Sequence, residues 1–107
     1  MYGLSDITTS DLQQVFAKYD NVREVVIFGS RAKGNYREGS DIDLAVIADN
    51  LTYNQLMDIM LEIDDLGLLY KVDLIDYNKN KDNPIGEHIR RVGKAFYKAE
   101  QIPLLHL

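Results

Sequence analysis

The sequence predicts an α/β (α+β) fold, a β-sheet with helices packed on it, and three observations point there. Two short β-branched runs, Glu24–Phe28 (EVVIF) and Ile42–Ile47 (IDLAVI), read as buried strands. Around them, apolar residues recur at the three- and four-residue spacing of helices that bury one face. Length sets the third bound: 107 residues suffice for one layered core that removes roughly two-thirds of the unfolded surface from water.

Taken in order, Ser10 is the expected N-cap of a first helix, with Leu12, Val15, Phe16 and Tyr19 along its inner face. The EVVIF strand then runs into a tight turn at Gly29-Ser30, and the second strand follows. Thr52 has the spacing of a helix cap, with Gln55 three residues on and Leu51 placed to staple against Leu56. Leu56, Ile59, Met60 and Ile63 form that helix's buried face, and Gly67 closes it. Lys71–Asp76 (KVDLID) alternates as a strand does. The polar stretch Tyr77–Asn83 predicts a surface loop. Pro84 opens a last helix expected to turn Ile85, Ile89, Val92 and Phe96 inward.

Composition removes several function classes. With no cysteine, disulfides, thiol catalysis and thiolate-bound zinc are excluded. His88 and His106 are too few and too scattered for a histidine metal site, so any metal is held by oxygen ligands, which favours a hard ion. A net charge of −5 argues against gripping duplex nucleic acid through many phosphates. No stretch has the length of a membrane span and the N-terminus lacks an export signal, so a cytoplasmic location is expected.

Chemistry concentrates in Gly29-Ser30-Arg31-Ala32-Lys33-Gly34, then Ser40-Asp41-Ile42-Asp43, then Asp73. Residues i and i+2 of a strand share a face about 7 Å apart, so Asp41 and Asp43 can converge on shared cations. Asp73 projects opposite to Val72 and Leu74. If its strand neighbours the second one, it completes a cluster of three carboxylates and can act as base toward an incoming hydroxyl. Three anions together are costly unless a cation such as Mg²⁺ accompanies them. Gly29 allows close approach of a phosphate, Ser30 can donate to it, and Arg31 or Lys33 can neutralise the leaving pyrophosphate.

Each fragment alone is weak. With 12 aspartates in the chain, chance supplies about one Asp-x-Asp, and one is found. Gly-Ser after a strand is usually only a turn, and Arg31, Lys33 and Arg37 alone read as a solvated basic patch. Meaning comes from their order, with the turn ending one buried strand and the acid pair starting the next. Gly29–Gly34 lacks the Gly-Lys-Ser/Thr ending of a P-loop, and His88 reads as an ordinary histidine of an amphipathic helix.

On these residues the chain resembles the minimal nucleotidyltransferases, or MNT proteins, of the DNA polymerase β-like superfamily. The resemblance runs from the first helix through GSRAKG, SDIDLAVI and KVDLID to IGEHIRRVGKAFY. It implies a single palm-like nucleotidyltransferase domain over residues 1–107 with a mixed sheet. It further implies that Gly29 and Ser30 bind the triphosphate of ATP, while Asp41, Asp43 and Asp73 hold Mg²⁺ or Mn²⁺. Similar proteins are antitoxins, type VII-like in their pairing, that move AMP from ATP onto a tyrosine of a separately encoded helical HEPN protein. Two alternatives stand beside this: a non-catalytic module that neutralises a helical partner by covering it, and an aminoglycoside-modifying transferase.

Overall fold

The computed structural model describes residues 1–99. In chain order these form α1 (Asp6–Ala17), β1 (Val22–Phe28), α2 (Gly29–Lys33), β2 (Ile42–Ala48), α3 (Tyr53–Asp65), β3 (Val72–Asp76), α4 (Tyr77–Asn80), α5 (Pro84–Val92) and β4 (Lys94–Lys98). The four strands make one mixed sheet in the order β3-β2-β1-β4. β1 pairs antiparallel with β2 and with β4, whereas β2 and β3, joined through α3, run parallel. Residue 106, and with it the expectation for His106, lies outside the described residues.

Strand alternation distributes the core over both faces of the sheet. Val25 and Ile27 of β1, Leu44 and Val46 of β2 and Leu74 of β3 pack with Leu12, Val15 and Phe16 of α1 and with Ile59 and Ile63 of α3. The intervening residues Phe28, Ala45 and Ile75 join Ile89 and Val92 of α5 and Tyr77 of α4 on the opposite face. Asp43 has the parity of Ala45, and Asp73 that of Ile75. Both acids therefore belong to the face that α5 only partly covers.

Three local expectations are corrected. Ser5, not Ser10, caps α1, its Oγ accepting from Thr8 N–H at 3.1 Å, and Ser10 lies inside the helix, where Gln14 donates to it. The cause is Leu4, which is buried and so fixes the chain's entry one turn earlier. Tyr19 lies beyond the helix, which ends at Ala17, and packs on the core from the turn that follows. Tyr77–Asn83 is not a plain loop, because the Asp76 carboxylate accepts from Asn78 N–H at 3.0 Å and caps the short α4.

The largest correction is at the C-terminal end, where Phe96 is buried on β4 rather than on the last helix. Gly93 ends α5 in extended conformation, its N–H donating to Ile89 C=O at 2.7 Å. A side chain at Gly93 would press on the Ile89 carbonyl and on Val26, so the chain turns here against β1. Ile85, expected inside, is exposed. Elsewhere the signals match the outcome: Thr52 caps α3 by accepting from Gln55 N–H at 3.1 Å, Gly67 follows the helix with φ +67°, and Pro84 begins α5 behind the Asn83 cap. The Gln55 side chain does not close a reciprocal capping box but exchanges hydrogen bonds with Asn21.

Candidate active site

At the end of β1 the chain turns abruptly. Phe28 is extended, Gly29 takes φ +73°, and α2 starts at once. Phe28 has no side-chain acceptor to offer, so the first N–H groups of α2 lack the capping partner that α1, α3 and α5 possess. Gly29 is required for a second reason: a Cβ there would collide with the Asp43 carboxylate. The collision locates Asp43 against the backbone of the Gly29-Ser30 bend.

Register explains this closeness. Asp43 is the partner of Phe28 across the β1–β2 ladder and of Asp73 across the parallel β2–β3 ladder. Asp41 stands two residues earlier, exposed, just before β2. The Asp43 carboxyl is held above the usual carboxylate range, first by burial, then by the negative charges of Asp73 and Asp41 and by a hydrogen bond with Asp73. His88 opposes the rise in part, which puts this α5 residue within electrostatic reach of the acids. Its ring meets Phe28 edge to face at 6.4 Å between centroids. His88 is half-buried, as an amphipathic helix predicts, but its closeness to Asp43 had no signal in the sequence.

The acid set is suited to a hard divalent ion in chemistry, being made of carboxylate oxygens, and in charge, since a cation would relieve the repulsion that raises Asp43. It is not a closed cage: among the described residues no three acid or imidazole side chains are arranged to hold an ion as they stand. Asp73 also has a competing partner, Lys71 Nζ at 3.7 Å from its Oδ1. Asp76 of the same strand points the other way, buried, into the α4 cap.

Of the two cations expected at the leaving pyrophosphate, Lys33 is exposed on α2 and Arg31 is not available. Arg31 is 2% exposed. Its Nε and Nη2 donate to Ser40 C=O at 3.1 and 2.9 Å, and its Nη1 donates to Tyr2 C=O at 3.0 Å. The side chain has turned into the protein, where two carbonyls accept three of its N–H donors and two tyrosine rings flank the guanidinium.

Residues 10–102 match the family described as Polymerase beta, Nucleotidyltransferase. The chain is 36% identical over 99 residues to "Probable protein adenylyltransferase MntA" of Haemophilus influenzae, covering 89% of this chain and 80% of that one. In fold it is similar to a toxin–antitoxin crystallised with AMP-PNP, at a TM-score of 0.67 and 23% identity over 92% of this chain and 77% of that one. It is likewise similar to a chain from the complex of a tri-AMPylated Shewanella oneidensis HEPN toxin with an MNT antitoxin, at a TM-score of 0.64 and 19% identity, covering 92% and 74%. Among the described residues no helix is long and apolar enough to cross a membrane. The bend at Gly29, the acids of β2 and β3 and the match over most of the chain lead to one assignment: this protein belongs to the polymerase beta nucleotidyltransferase family and is a nucleotidyltransferase.

Proposed function

We propose that this chain transfers AMP from ATP to a tyrosine hydroxyl of a helical, HEPN-type partner protein, with Mg²⁺, and so acts as an antitoxin. The observation that carries the proposal is the position of Asp43, which touches the Gly29 backbone on one side and pairs with Asp73 on the other. The likeness to MntA supports the choice of AMP and of a protein acceptor.

In this reading Gly29 and Ser30 receive the triphosphate through backbone N–H groups and the Ser30 hydroxyl, and Lys33 faces the charge that builds on pyrophosphate. Asp41, Asp43 and Asp73 would hold the metal, which when bound supplies neutralising charge for phosphates and carboxylates alike. Asp73 accepts the proton of the attacking hydroxyl. The new bond joins that oxygen to the α-phosphorus, the bond from the α-phosphorus to the oxygen bridging to the β-phosphate breaks, and pyrophosphate leaves with the electron pair.

The test mixes the chain with ATP, Mg²⁺ and a HEPN-type protein from the same genome, and follows that protein's mass. One or more AMP additions are expected, and none with Asp43→Asn. An Asp43→Asn chain that still modifies the partner defeats the proposal. One that modifies nothing yet still neutralises the partner in a growth assay makes the chain a binding module instead.

A further inference from the structure

Arg31 is a buried cation with no carboxylate partner, since the ion pairs among the described residues do not include it. Taking a guanidinium out of water is expensive, and an apolar side chain of similar volume would serve a core at lower cost. What compensates here is a sandwich. The guanidinium carbon lies 5.1 Å from the centroid of the Tyr36 ring and 4.9 Å from that of Tyr70. Cation–π attraction of this kind gains strength as water is excluded. The Tyr36 ring in turn leaves no room for a side chain at Gly3, which closes the sandwich from outside.

The partners are distributed in a particular way. Arg31 is on α2, one residue after the Gly29-Ser30 bend. Ser40, whose carbonyl receives both Nε and Nη2, immediately precedes Asp41. Tyr70 precedes Lys71, whose carbonyl accepts from Ile42 N–H at 2.9 Å where β2 and β3 first join, just ahead of Asp73. One guanidinium therefore ties together the three segments on which the bend, the acid pair and the third acid are carried.

We infer that Arg31 is a positioning residue, which fixes Asp41, Asp43 and Asp73 relative to the Gly29-Ser30 bend so that Mg·ATP meets both at once. The inference rests on the reading of these residues as the Mg·ATP site. Lysine cannot replace it, because an ammonium lacks the planar fork that reaches one carbonyl twice while stacking between two rings.

Wild-type, Asp43→Asn, Arg31→Lys and Tyr36→Leu chains are titrated calorimetrically with Mg·ATP and, at fixed ATP, with Mn²⁺, their folding being followed by circular dichroism. Binding by the wild type and loss in Asp43→Asn are expected. Folded Arg31→Lys should need about tenfold more metal for half-saturation, the loss typical when a group that orients metal ligands is removed. Tyr36→Leu should move the midpoint the same way by less. Only chains that circular dichroism shows fully folded at the titration temperature are compared, because a partly unfolded one would raise the apparent midpoint by the reciprocal of its folded fraction. A folded Arg31→Lys chain with the wild-type midpoint overturns the inference while leaving the site reading intact, and a wild type that binds no Mg·ATP removes the reading itself. Should Arg31→Lys not fold, Tyr36→Leu decides, because that ring is partly exposed and its loss spares the guanidinium's hydrogen bonds. An unmoved midpoint there overturns the inference too.

Discussion

The carboxylate of Asp43 rests against the α-carbon of Gly29, with no space between them for a methyl group. Gly29→Ala should therefore displace Asp43 as well as straining a backbone at φ +73°. Gly34 has φ +84° and open space around it, so Gly34→Ala carries the strain alone. Both variants should lose about 1–3 kcal/mol of stability in denaturant unfolding. Only Gly29→Ala should also abolish Mg·ATP binding. Equal binding by the two would mean that the contact has no role in the site.

Asp43 titrates above the ordinary aspartate value, which means that the folded chain disfavours its charged form. Well below about pH 4 the group is protonated whether folded or not and costs nothing. As pH rises from there through the raised value, the folded state loses stability relative to the unfolded one. In metal-free buffer Asp43→Asn should therefore melt above wild type at pH 7. The gap should close toward pH 4. A gap that widens on acidification would reverse the sign of the argument.

Mg²⁺ with ATP should act in the opposite sense and raise the melting temperature of wild type at pH 7. At a hundredfold excess over Kd the gain is about 2.7 kcal/mol. Chelation should return the melt to its starting point. Asp43→Asn should show little response.

Removing the α3 cap provides a contrast with no chemistry in it. Thr52→Ala leaves the Gln55 N–H without its acceptor and should cost about 1 kcal/mol, or 4–8 °C, in a thermal melt. Below that melt the variant should bind Mg·ATP as wild type does.

Much of this was legible in the sequence, and the two largest exceptions share a cause. Strands β1, β2 and β3 announced themselves by β-branched runs and alternation, and the Asp43–Asp73 pairing followed from parity once those two strands were neighbours. Phe96 was misplaced because Ile89, Val92 and Phe96 keep helical spacing across Gly93, while the end of α5 depends on the approach of Val26 from a distant strand. Arg31 was expected at phosphate because local spacing cannot reveal an interior site built from Tyr2, Ser40 and Tyr70. For Phe96 and Arg31 what the sequence hid was a contact with residues distant along the chain, whereas the caps at Ser5 and Asp76 are local contacts whose residues were present but read otherwise.

The parallel pairing of β2 with β3 bears on how competence arises during folding. β1 and β2 can zip through a short connection, bringing Asp41 and Asp43 beside the bend early. Asp73 comes into place across the longer connection that contains α3, a closure of greater sequence separation than that of β1 with β2. A nascent or damaged molecule that stops short of this step presents two acids where chemistry needs three. Turnover by this protein is in that sense a certificate of completed topology, issued only when β3 has joined the sheet beside β2.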